Sequence, residues 1–362
     1  MPSTKSVSYD NLIVCVCGAH EYMARGAVDA ALFRGELDSQ WKQFLRRLEA
    51  KSLADELDLD LGDDAITTAA EAFRYEHDLI TAEETEAWLA TRGLTLDDFS
   101  DYFTRQYCAS TLSEKIVPEE VEYTSASSEL HRLFVTELIL SGELDRMTTE
   151  LIWRLAARCA AKDSDPDAIA GEERKFFGRN EIELAQLSNW LKRLGRDSEW
   201  FKEMVVMEAA YRQHCDTVLV QQARQRELVT LRLPLTRFET EVIELESRDA
   251  AKEALFCVRE DGMSMEEVAM EGRYPYRRAD FFMEDIPVDA QQRFLSASVG
   301  DVLEPVVRGD GFELCRIVKK IEPQPEDPSV RSRIEQRLLD RHFSELASKH
   351  VQRRLGVSIS AE

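Results

Sequence analysis

The residues able to do chemistry are few and dispersed. Seven cysteines stand at 15, 17, 108, 159, 215, 257 and 315; odd in number and spread through helical and strand patterns, they predict reduced thiols rather than a disulfide scaffold. Cys15-Val-Cys17 with His20 begins a metal-ligand set, but nothing later supplies the second half at zinc-site spacing. A buried strand or helix edge is the expectation there. Asp58-Leu-Asp60-Leu-Gly62-Asp-Asp64 hints at a calcium loop, yet its glycine falls one place early and the fifth ligand is missing. No metal and no cofactor are therefore expected. There is no glycine-rich phosphate loop, no Gly-x-Ser-x-Gly elbow and no His-Glu-x-x-His, and each absence removes a common enzyme class. One cluster remains: Arg273-Tyr-Pro-Tyr-Arg-Arg278 is basic and aromatic within an acidic stretch, a composition that suits an acidic peptide.

Charge narrows the partners. With 69 acidic and 46 basic residues the net charge is -23, so clustered cations for nucleic acid or an anionic membrane are lacking. The surplus acid serves solubility, or recruits basic peptides. Leu12 to Ala19 is apolar but short and lacks a strongly basic flank, a poor leader. No run approaches the roughly 18 apolar residues of a membrane span. These readings predict a soluble cytoplasmic protein that does not insert in membranes.

The elements that must position any site are organised by a duplication. Gly-Glu-Leu-Asp occurs at Gly35 to Asp38 and again at Gly142 to Asp145, and each copy is followed by Trp-Leu, Gly and Phe at one spacing: Trp88, Gly93 and Phe99, then Trp190, Gly195 and Phe201. Such self-similarity marks a repeated unit. Trp41, Leu45 and Leu48, then Phe99, Phe103 and Tyr107, recur at helical spacing. Thr81 with Glu84 forms a capping box, Gly93 stops the helix it opens, and Thr95 with Asp97 and Asp98 starts the next. The second copy reads as helices over 130–140 and 147–161, a break around Asp163-Ser164-Asp165-Pro166, and helices from Glu172 to about Arg226. The repeat-defining aromatics are expected in the core.

Near Leu231 the period changes. Phe238 to Leu245 alternates as a strand, Arg248 to Glu260 and Ser264 to Met270 read as helices, and Ala279 to Phe282 as a strand. A helix over 288–295, an extended piece over 303–307, a Gly309-Asp-Gly311 turn and a strand over 312–321 follow. Prolines over 323–328 make a linker before an amphipathic helix from Val330 to about Leu355. The expected fold is mainly α with a small α+β domain. Its segments are 1–22; helical unit 1 over 23–122; helical unit 2 over 123–229; the α+β domain over 230–322; and linker plus C-terminal helix over 323–362.

Residues 236–321 resemble the parvulin domain of peptidyl-prolyl isomerases. Arg248-Asp-Ala-Ala-Lys-Glu-Ala-Leu followed by Asp261-Gly-Met-Ser-Met-Glu-Glu-Val-Ala269 carries the likeness, as does Phe294 through Pro305-Val306 followed by Gly311-Phe312. Helical units before such a domain and a helix after it resemble the PpiC and SurA-like chaperone architecture. Leu79 to Phe99 is similar to the helical region of isomerase-related proteins that accompany peptide maturation or export. The resemblance implies two histidines at the centre of the sheet. Here the six histidines are at 20, 77, 131, 214, 342 and 350, and none lies in the domain. Glu313 stands where the last-strand histidine is implied, and the first strand offers Thr240, Glu241 and Val242. A site without its polar centre has little means of lowering the roughly 18–20 kcal/mol barrier to peptide-bond rotation.

The resemblance therefore implies a chaperone-like protein that binds a peptide or unfolded protein without isomerase catalysis, its partner being a precursor peptide and the processing or export machinery. The implied groove is lined by Phe281, Phe282, Met283, Phe294 and Leu295, flanked by Arg273, Tyr274, Tyr276, Arg277 and Arg278. Two alternatives stand beside it: a weak isomerase using Glu241, Glu313 or Cys315, and a structural adaptor within a multi-protein complex.

Overall fold

The computed structural model describes residues 11–59, 62–113, 116, 121–161, 165–309 and 311–357. Asp60, Asp163, Ser164 and Asp310, on which parts of the expected calcium-like loop, helix break and turn fall, lie outside the described residues. Contacts divide the chain into two units, residues 1–216 with 341–362 and residues 217–340, a coarser division than the five segments read from the sequence. The fold is mainly α with a small α+β domain.

The first unit opens with strands β1 (Leu12–Cys17) and β2 (His20–Met23), antiparallel neighbours. Five helices follow: α1 (Ala24–Phe33), α2 (Asp38–Glu56), α3 (Asp63–Glu76), α4 (Ala82–Thr91) and α5 (Leu96–Thr111). Then the same order returns: α6 (Ser128–Leu140), α7 (Glu143–Ala160), α8 (Pro166–Asn180), α9 (Leu187–Leu194) and α10 (Ser198–Val218). Local chemistry sets the boundaries. Thr81 and Glu84, and Thr95 and Asp98, make reciprocal capping boxes at the starts of α4 and α5, satisfying amides that no helical carbonyl reaches. Gly35 and Gly142 occupy the left-handed region at φ 70° and 76°, a conformation that costs other residues energy. The tetrapeptide is thus the same helix-to-helix turn used twice.

Each copy builds an aromatic centre. Phe73 contacts Trp88 and Phe99 edge-on in the first copy, and Phe176 contacts Trp190 and Phe201 edge-on in the second. The opening helices are exchanged between these centres. Phe33 of α1, two residues before its Gly-Glu-Leu-Asp, stacks on Phe176 at 4.7 Å. Leu140 of α6, at the matching place in the second copy, packs with Leu89, Phe99 and Phe103 of the first. Each copy supplies the other's missing apolar face, so neither buries its core alone.

The second unit contains α11 (Gln221–Thr230), β3 (Arg237–Leu245), α12 (Arg248–Arg259), α13 (Met265–Gly272), β4 (Tyr276–Phe282), α14 (Val288–Ser296), β5 (Val306–Arg308) and β6 (Gly311–Ile321). Its sheet is antiparallel in the order β4-β3-β6-β5. Ile243, Leu245 and Leu314 bury one face against Ala251, Leu255 and Val268 of α12 and α13. Phe238, Val242, Cys315 and Ile317 bury the opposite face against Ala290 and Phe294 of α14. Both faces of β3 are covered at its apolar positions, with Glu239, Glu241 and Glu244 set between them. A Cβ on Gly311 would sit 2.8 Å from the Leu245 carbonyl oxygen, which accounts for glycine at the start of β6.

Helix α15 (Pro328–His350) stops earlier than its amphipathic pattern predicts, and β7 (Val351–Val357) follows it. The expected helix to about Leu355 is corrected here. Residues 351–357 pair antiparallel with β1, giving a sheet in the order β2-β1-β7. Leu12, Val14 and Cys15 are fully buried in its central strand, so the apolar stretch near the start of the sequence is a strand, the first of the two readings left open.

Candidate functional site

In the α+β domain the implied catalytic centre is built of other chemistry. Val242 on β3 lies opposite Cys315 on β6, both buried under Phe294, whose ring meets Phe238 edge-on at 5.4 Å. Burial pushes the Cys315 thiol up to about 12, which keeps it protonated and a poor nucleophile. Thr240 donates its hydroxyl to the Ala279 carbonyl at 2.9 Å and is satisfied there. Glu244 and Glu313 face each other across the strands, a repulsive pair held by Arg277, which donates to Glu313 at 2.8 Å and to Glu244 at 3.1 Å. Arg308 adds a second cation to Glu313 at 3.2 Å.

The three fallback catalytic residues are not one constellation. Glu313 and Cys315 share a sheet face, whereas Glu241 lies on the other, where it accepts from Tyr276 and pairs with Arg316 at 2.6 Å. The ten groove residues are likewise dispersed. Tyr274 and Tyr276 pack on the α12 and α13 side, and Arg278 reaches out to Glu241 from that side. Arg273 is exposed and stops α13 with its backbone at φ 55°. Arg277 is locked to the two glutamates. Phe294 and Met283 are core, with Phe281 against them; Phe282 points into a separate cluster with Leu235 and Ile334. Leu295 alone of the five groove apolars is exposed. Helix α14 packs on the sheet through Ala290 and Phe294.

An open cleft lies in the helical unit. A cleft of about 1050 Å³ runs along β2 between α7 and α10, lined by Cys17 to Met23, Arg25 and Gly26, by Leu151, Leu155, Arg158 and Cys159, by Arg196 and residues 199–207 in part, and by Lys349 and His350. Leu155, Trp200, Met204 and Met207 give it an apolar floor. Methionine suits such a floor, since its unbranched thioether adapts to differing side chains. Around it stand Arg25, Arg158, Arg196, Lys202 and Lys349 with Glu21, Glu199 and Glu203; Arg25 and Arg196 pair with Asp29, Lys202 with Glu199 and Lys349 with Glu345, whereas Arg158 is exposed. Strand β2 is one margin of its sheet, and among the described residues nothing pairs with its outer side. None of these residues was singled out as a site from the sequence, apart from Cys17 and His20 in the rejected metal set. They come from four distant stretches with no shared motif.

No protein-family model matches the chain, and no curated protein does. Among solved structures it is similar to the peptidylprolyl isomerase PrsA of Bacillus cereus, with 13% identity, 59% of this chain and 85% of that chain covered, and a TM-score of 0.38. It is also similar to the foldase protein PrsA of Streptococcus pneumoniae, with 11% identity, 64% and 90% covered, and a TM-score of 0.28. A structure described with the SurA-like chaperones PEB4 and Cj1289 of Campylobacter jejuni gives 10% identity, 59% and 88% covered, and a TM-score of 0.20.

Proposed function

We propose that this chain is a chaperone-like protein that holds an extended peptide in the cleft of its helical unit and does not isomerise it. The observation that carries the reading is the unpaired margin of β2 beside an apolar-floored cleft. An unpaired strand offers main-chain donors and acceptors to an added strand, while pockets beside it receive alternate side chains. Charge supplies selectivity: Arg158, exposed on the rim, favours a peptide that sets an acidic residue against it among apolar ones. The histidine-free sheet, with Glu313 tied to two arginines and Cys315 buried, supports binding without isomerisation. In its narrower form the reading is a holder for one precursor peptide, passed on to processing or export machinery.

The test is fluorescence anisotropy with a labelled peptide of about eight residues alternating aspartate and leucine, against its lysine counterpart. Arg158 is exposed on the rim, so Arg158→Glu is expected to weaken binding of the acidic peptide about tenfold, a change of about 1.4 kcal/mol. Equal binding of both peptides, or none at high micromolar concentration, rejects the reading.

A further inference from the structure

On the lining of this cleft two cysteines from distant parts of the chain meet. Cys17, the last residue of β1, and Cys159, near the end of α7, have their sulfurs 3.1 Å apart, closer than two sulfur atoms rest without bonding or hydrogen bonding. Cys159 is exposed, whereas Cys17 is 9% exposed. The asymmetry is that of an attacking and a resolving thiol. Cys15, Cys108, Cys215 and Cys315 are buried, out of reach of a dissolved disulfide.

We propose that Cys17 and Cys159 are a thiol–disulfide exchange site that closes into a bond joining β1 to α7 on the lining of the cleft. The co-reactant is a low-molecular-weight disulfide. The Cys159 thiolate attacks one of its sulfurs, forming a mixed disulfide and releasing one thiolate, which takes up the proton Cys159 gave to solvent. Cys17 then loses its proton and attacks the Cys159 sulfur, breaking the mixed disulfide and releasing the second thiol. Two protein thiols are oxidised, one disulfide is reduced to two thiols, and the protons balance. Burial pushes the Cys17 thiol up to about 12, so its deprotonation makes this second attack the slow step, aided by the mixed-disulfide sulfur held beside it. In a reducing thiol pool the pair stays open; in an oxidising one it is closed. The closed bond fixes one end of the cleft wall while leaving β2 unpaired.

The full chain is incubated with oxidised glutathione at neutral pH, then read by intact mass, thiol titration under denaturing conditions and a non-reducing peptide map. The expected result is a mass lower by about 2 Da than the reduced chain, from loss of two hydrogens, with titratable thiols falling from seven by two. The map joins the peptides carrying Cys17 and Cys159. Cys159→Ser abolishes the link and keeps every thiol of Cys17 titratable. A stable glutathione adduct on Cys159, a link through another pair, or an unchanged thiol count overturns the proposal. The peptide map on the unaltered chain decides the matter even if the variant folds poorly. No peptide ligand is involved, so this result and the peptide-binding result fail separately.

Discussion

Phe176 meets the Trp190 ring edge-on, with centroids 5.2 Å apart at 78°, and Phe73 meets Trp88 in the same relation at 5.4 Å and 84°. Two centres of one design, each closed by the opening helix of the other copy, make the helical unit a single cooperative body. Phe33→Ala removes a ring that stacks on Phe176 and touches Trp200 and Phe201; the expected loss is about 3–5 kcal/mol, typical of a buried phenylalanine. Hydrogen exchange locates the damage. Faster exchange is expected in α8 to α10, and loss confined to α2 to α5 contradicts the exchanged packing.

Leu140→Ala is the reciprocal case. Leu140 is 3% exposed within the first copy's centre, so about 2–5 kcal/mol is expected, with exchange rising in α4 and α5. Urea denaturation gives the magnitude and exchange gives the place.

The duplication was legible because its anchors are special residues: left-handed glycines at 35 and 142, tryptophans at 88 and 190. The exchange was not. Either copy's opening helix offers the same apolar pattern, and periodicity records which face is buried without recording against whom. Strand β7 was missed for a related reason: Val351-Gln-Arg-Arg continues a polar-apolar pattern after a long helix, and its partner β1 lies at the other end of the sequence. The helix starts at Thr81 and Thr95 were read correctly, since a capping box is a local matter. The cleft left no trace, its walls being assembled from segments that share no spacing.

Arg154 and Glu208 form a buried pair between α7 and α10, Nε to carboxylate 2.5 Å, with Arg154 also bonded to Glu150. Both side chains are almost wholly withdrawn from water. Arg154→Met leaves the buried Glu208 without its 2.5 Å partner, its remaining cation Arg34 lying 4.0 Å away, and is expected to cost about 3–5 kcal/mol. Adding Glu208→Leu removes the orphaned charge, and chemical denaturation should show most of the loss recovered. A double variant no better than the single one contradicts the pairing.

His214 and His342 meet ring to ring, nitrogen to nitrogen at 3.1 Å. Burial lowers the pKa of His214, assisted by His342; burial also lowers that of His342, where Lys349 adds to the effect and Glu345 opposes it. The unfolded chain therefore binds protons before the folded one does, so stability is full above about pH 6.5 and falls as pH drops through the folded values. His342→Gln should flatten the profile between pH 7 and 5, measured by thermal melting. An unaltered slope removes the pair as its source.

A protease-coupled assay on proline peptides should show no acceleration over the uncatalysed interconversion, which takes tens to hundreds of seconds. Glu313→Ala should leave that result unchanged, while freeing Arg277 and Arg308 from their shared partner. Any rate enhancement lost in this variant would restore the catalytic reading.

The pairing of β1 with β7 has a consequence for synthesis. Residues 217–340 are an insertion within the helical unit, and β7 is translated only after they are complete. Until then β1 leaves the ribosome with one side unpaired. The helical unit is thus begun first and finished last, and a nascent chain stalled before Val351 should expose that strand to holdase chaperones of the cell.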